Sequence, residues 1–268
     1  MELYKDLYEI AKSDLISSKV LYEKKCYPQA IFYLQQSLEK ATKAVTLKFD
    51  MIKEDSLKKY SHIPLKIFKN IYQNSAKDIL EAFNEEALSE EGLNQDEFKP
   101  YIDKWKNAID LFYRMLDKMY GEQKEFVNID ENKFKEIMGG IEEIENIFLN
   151  KKNYNKINKI NSFNEATTSS GNIKHKKMYR YLWLFSFVQS LLFFLSYLLS
   201  SYHSSYTRYP VENYTPMNLY NENHVLVKYY SKLHSKLKIC FNILDNFIYP
   251  NKLEDSFKIY DLVGDEYR

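Results

Sequence analysis

Glycine and proline are scarce: six of each in 268 residues, about a third of ordinary usage. The glycines stand at 92, 121, 139, 140, 171 and 264. They form neither G-x-G-x-x-G nor G-x-x-x-x-G-K, so the phosphate cradles of dinucleotide-binding and Walker-type proteins are absent. H-E-x-x-H and G-x-S-x-G are missing too. Only two cysteines occur, Cys26 and Cys240, far apart and outside any C-x-x-C spacing. That excludes a secreted disulfide framework and a cysteine metal site. Excess charge is lacking as well. Lys and Arg number 38 against 37 Asp and Glu, a net charge of +1, so no global field steers anions and only a local patch could hold one. The opening Met1-Glu2-Leu3-Tyr4-Lys5-Asp6 has acids where a signal peptide needs a basic end and an apolar run. The expected location is cytoplasmic.

Few breakers and long Lys/Glu/Leu/Ile stretches predict an all-α protein. Over residues 3–25, Leu7, Ala11, Leu15, Ser18 and Tyr22 recur at helical spacing. Pro28 then opens a second helix to about Phe49, where Ile31, Leu34, Leu38, Ala41 and Val45 form the core stripe. Pro64 starts another, Ser75-x-x-Asp78 resembles a capping box for a short helix through Phe83, and Pro100 begins one reaching Tyr120. Asp130 is the expected cap of a helix ending near Leu149. Residues 150–177 change character: seven lysines and one acid, Glu165, run into Thr167-Thr168-Ser169-Ser170-Gly171. This reads as a polar, basic linker. A final helical pair is expected at 178–202 and 222–248, with a tail from Pro250.

Tyr181 to Leu199 carries no charge over nineteen residues, a helix of about 28 Å, nearly a bilayer core. Lys174, Lys176, Lys177 and Arg180 precede it, as at a cytoplasmic membrane edge. Against a span, Ser186, Gln189, Ser190, Ser196 and Ser200 gather on one arc of about 120°. The mean hydropathy of the chain is −0.52. A buried central helix is the expectation, a single membrane span the alternative.

Chemistry centres on the second helix, Tyr33-Leu34-Gln35-Gln36-Ser37-Leu38-Glu39-Lys40-Ala41-Thr42-Lys43-Ala44. Gln36, Lys40 and Lys43 share a face, and Glu39 can pair with Lys43 four residues on. Such a face is either an exposed, salt-bridged surface or a polar groove in which Lys40 or Lys43 meets a phosphate. His62 stands at a helix start, where histidine caps or packs more often than it catalyses. Arg208, in Thr207-Arg208-Tyr209-Pro210, closes a helix because Tyr209 precedes proline. It can bind the last carbonyls or clamp a phosphate with its forked donors. His203 lies five residues before Arg208. His224 and His234 are ten apart, which is no metal-ligand spacing, and no metal or cofactor is expected.

Together Tyr22, Tyr27-Pro28-Gln29-Ala30, Gln35-Gln36-x-x-Glu39-Lys40-x-x-Lys43-Ala44, His62 with Leu65, and Thr207-Arg208-Tyr209-Pro210 resemble the HEPN domain (higher eukaryotes and prokaryotes nucleotide-binding). The resemblance covers about 1–70 and 178–250. It divides the chain into a first half (1–70), a helical insertion (71–149), the basic linker (150–177), a second half (178–250) and a tail (251–268). It implies a helical bundle, commonly dimeric, sometimes paired with a minimal nucleotidyltransferase as toxin and antitoxin. Some members are metal-independent ribonucleases with an Arg-x(4–6)-His motif. Here none of the four arginines, 114, 180, 208 and 268, has a histidine at that distance, and His203-x4-Arg208 runs in the reverse order.

The expected function is therefore a noncatalytic HEPN bundle binding a nucleotide, RNA or a partner protein through Gln36, Lys40, Lys43, His62 and Arg208, in a prokaryotic defence or toxin–antitoxin setting. A ribonuclease using His203 as acid/base and Arg208 as charge stabiliser is one alternative. A membrane-anchored interaction protein is the other.

Overall fold

In the computed structural model the residues described are 2–60, 130–149, 187–199, 203, 206–210 and 214–249. They form α1 (Leu3–Glu23), α2 (Tyr27–Lys48), a 3-10 turn (Glu54–Tyr60), α3 (Glu131–Leu149), α4 (187–198), α5 (Pro216–Leu219), α6 (Val225–Lys228) and α7 (Tyr230–Ile248). No strand occurs among the described residues, and the all-α expectation holds. The helices expected from Pro64, Ser75 and Pro100, the linker 150–177 and the tail 251–268 lie outside them.

Helices α1 and α2 make an antiparallel hairpin whose buried stripes are those the periodicity marks. Ala11, Leu15 and Ser18 on α1 and Ile31, Leu34, Leu38, Ala41 and Val45 on α2 are buried. Small polar groups let the helices approach: Ser18 Oγ donates to the Ala30 carbonyl at 2.7 Å, and Ser37 Oγ to that of Ala11 at 2.8 Å. The turn between them lacks the glycine such turns favour. Lys25 takes a left-handed φ of 60°, its N–H donating to the Tyr22 carbonyl and that of Cys26 to Leu21. Asp50 repeats the geometry after α2 with φ 54°. Both are Schellman closures held by residues with a Cβ, which carries a steric penalty of about 1 kcal/mol.

Helix α7 crosses the hairpin. Tyr8 Oη donates to the Phe241 carbonyl at 2.8 Å, and Tyr22 stacks on Tyr230 with ring centroids 4.0 Å apart. Such a ring pair contributes about 0.5–1.5 kcal/mol beyond its buried area. The helix expected at 222–248 is interrupted: Tyr229 (φ −103°, ψ 13°) caps α6 and α7 begins anew at Tyr230. Neither proline nor glycine marks that break. His224 fixes its start, its Nδ1 accepting from the Leu226 N–H at 3.3 Å.

Asp130 does cap α3, its Oδ1 accepting from the Lys133 N–H at 2.8 Å. Beside α6 and α7, Phe134 stacks on Tyr229, and three acids meet three lysines in the same order along the chain: Glu131 with Lys228, Glu142 with Lys232 and Glu145 with Lys236. Every described residue of 187–199 is buried, including Gln189, Ser190 and Ser196 of the polar stripe. Gln189 Nε2 approaches Met51 Sδ at 3.6 Å. Among the described residues no helix is long and apolar enough to cross a membrane. In this part of the apolar stretch, enclosure on all sides explains the missing charges.

Candidate nucleic-acid interface

At 100° per residue Phe32, Gln36, Glu39, Lys40 and Lys43 occupy one face of α2. The side chains form a continuous network. Lys40 Nζ pairs with the Asp14 carboxylate from α1 and donates to Gln36 Oε1 at 3.3 Å. Gln36 Nε2 donates to Glu39 Oε2 at 3.4 Å, and Lys43 Nζ meets Glu39 Oε1 at 2.6 Å. The Glu39–Lys43 pair expected from the i, i+4 spacing is thus present. The face is not an exposed surface, however: the Lys43 and Glu39 side chains are only 13% and 5% accessible, those of Lys40 and Asp14 24% and 12%. Tight α1–α2 packing, with Asp14 turned inward, encloses it.

These four charges cancel. A ligand anion approaching Lys40 therefore competes with Asp14, and one approaching Lys43 must displace Glu39 from a nearly dry pair. An exposed cation lies near the other end of the face. The exposed Arg208 guanidinium carbon sits 4.9 Å from the Phe32 ring centre and 5.2 Å from that of Tyr209. Phe32 precedes Gln36 by one turn and Lys40 by two, about 6 and 12 Å along the axis. The fold thus brings Arg208 onto the face that carries Gln36, Lys40 and Lys43. Tyr209 is 59% exposed. A guanidinium close to two rings has the forked donor geometry that suits phosphate, beside flat apolar surfaces that suit a base. His62 lies outside the described residues.

His203 belongs to a different environment. It is fully buried, and its Nδ1 shares a 2.5 Å hydrogen bond with the Tyr220 hydroxyl. The His224 ring lies 4.6 Å from that of Tyr220 and 6.1 Å from that of His203. The His203 carbonyl accepts from Thr207 Oγ1 at 2.5 Å, bracing the turn that presents Arg208. Burial, with His224 adding to it, pushes the His203 pKa down to about 3. The ring is neutral at physiological pH, and burial keeps its Nε2 from solvent. Within the described residues no group of three or more His, Cys, Asp or Glu side chains could hold a metal ion.

Sequence reasoning did not single out Phe32, Asp14 or Tyr220, and it read Tyr209 as the residue that ends a helix before proline and as part of the Arg-Tyr-Pro string. Phe32 carried a usable signal, since it stands four residues before Gln36 on the same face. Asp14 and Tyr220 carried none, because their roles arise only from packing between distant segments.

The chain belongs to the HEPN domain family, whose sequence model matches residues 4–152. The matched stretch contains α1, α2 and α3. Helices α4 and α7 lie beyond its end, yet share the hydrophobic core with it. No curated protein and no solved structure matches the chain.

Proposed function

We propose that this chain is a noncatalytic HEPN bundle whose α2 face takes the phosphates of a nucleotide or RNA, acting as a homodimer in a prokaryotic defence or toxin–antitoxin setting with a nucleotidyltransferase-type partner. The observation that carries the binding reading is the placement of the exposed Arg208 against Phe32, on the face that also carries Gln36, Lys40 and Lys43. Phosphate would meet Arg208 first and Gln36 and Lys40 next, while Lys43 remains with Glu39. Membership of the HEPN family supports the setting. The missing Arg-x(4–6)-His motif and the neutral, enclosed His203 weigh against a ribonuclease, since neither supplies an accessible acid at neutral pH.

Fluorescence anisotropy with a labelled single-stranded RNA tests the site. Arg208→Ala should weaken binding by about tenfold, the scale of one charge-assisted contact. Lys40→Ala should weaken it less, because Asp14 already engages that ammonium. Unchanged affinity in both variants, each still folded by circular dichroism, discards the assignment.

A further inference from the structure

Helix α1 turns a second stripe away from the core. Ile10, Ile16 and Val20 are 48%, 66% and 50% exposed, among the few large apolar side chains so placed in the described residues. They are not scattered. Asp6, Ile10, Ser13, Ser17, Val20 and Lys24 recur at spacings of 4, 3, 4, 3 and 4, the period of one helix packing along another. Ile16 borders the stripe at its middle.

The order of residue types is two-fold. Reversing the helix about position 15 exchanges Ile10 with Val20, Ser13 with Ser17, and Asp6 with Lys24. From this we infer that α1 pairs antiparallel with α1 of a second copy of this chain. Each Ile10 then packs on the other copy's Val20. The serines near the dyad permit close approach; Ser17 Oγ is already satisfied by the Ser13 carbonyl at 2.9 Å. The two Ile16 side chains meet across the axis, and Asp6 of each copy faces Lys24 of the other at both ends. Antiparallel pairing also brings Glu9 and Glu23 to one flank. Each of these acids has a lysine on its own helix, Lys12 at 2.6 Å and Lys19 at 3.9 Å, which offsets their repulsion. A parallel pair would instead set Asp6 against Asp6 and Lys24 against Lys24. Charge complementarity thus selects both the partner, a second copy, and its direction.

This inference rests on the homodimer of the proposed function and names its surface. Sedimentation velocity on the full chain should give a species of twice 32.2 kDa. Ile16→Glu should give the single chain while its melting curve stays that of a folded helical protein. Asp6→Lys and Lys24→Asp should each weaken dimerisation by roughly tenfold or more. The double variant, which restores opposite charges in the antiparallel pair, should recover most of that loss. A dimer that persists in Ile16→Glu leaves the homodimer standing and overturns this surface. So does a double variant as weak as the singles. A wild-type chain that is monomeric at all concentrations overturns both, and gives the face to another occupant.

Discussion

Lys40 on α2 and Asp14 on α1, 26 residues apart, meet through ammonium and carboxylate across the helical hairpin. The contact ties the candidate binding face to the packing that builds the fold. It also has a sign for each function. For stability the pair should be helpful: removing one partner leaves the other charge half-enclosed, at a cost of about 1–2 kcal/mol, between the exposed and buried extremes. For binding, Asp14 competes with phosphate. Asp14→Asn should therefore lower the urea midpoint yet tighten RNA binding severalfold, whereas Lys40→Ala should lower both. Chemical denaturation and anisotropy on the two variants check the opposed signs.

The turn after α1 suggests a stabilising change. Lys25 holds a left-handed backbone at φ 60°, where glycine has no steric penalty. Its ammonium reaches Glu222 at 3.3 Å, but both side chains are largely exposed, so the pair contributes little. Lys25→Gly should raise stability by about 0.5–1 kcal/mol. Thermal unfolding measures it directly, and a lower melting temperature would contradict the strain assigned to this turn.

His203 should leave a mark on the pH dependence of stability. In the fold its pKa is pushed from 6.5 down to about 3. Between those values the unfolded chain binds a proton that the folded chain refuses. Stability contributed by the neutral, buried ring is present above pH 6.5 and is lost as pH falls toward 3, with a slope of at most about 1.4 kcal/mol per pH unit. Among the described residues, Tyr220, which shares its hydrogen bond, and His224 are titratable side chains beside it. His234, also held below its ordinary value by burial, adds a smaller contribution of the same sign. Urea unfolding at pH 5, 6 and 7 should show the wild type losing stability faster than His203→Gln. Parallel curves would remove His203 as the source.

The α1–α2 hairpin was legible because each stripe repeats over about four turns and Pro28 punctuates its turn. Asp130 was legible for the same reason, as a local capping signal. The break at Tyr229 was not, since no proline or glycine marks it; there Tyr229 stacks on Phe134 and donates to Glu131, both on the distant α3. The candidate site was half legible. Spacing put Gln36, Lys40 and Lys43 on one face, and the Arg-Tyr-Pro string drew attention to Arg208. That the guanidinium lands on Phe32, that Asp14 claims Lys40, and that His203 is sealed behind Tyr220 all depend on contacts between remote segments. Periodicity carries no information about those.

Ultraviolet cross-linking of bound RNA to the full-length chain, followed by mass spectrometry of the peptides, tests the central claim most directly, because it reports where the ligand lies. Bases stacked beside Arg208 should cross-link to Phe32 and Tyr209, and Arg208→Ala should abolish those adducts. Cross-links confined to other segments, or adducts at Phe32 and Tyr209 that survive Arg208→Ala, would contradict it.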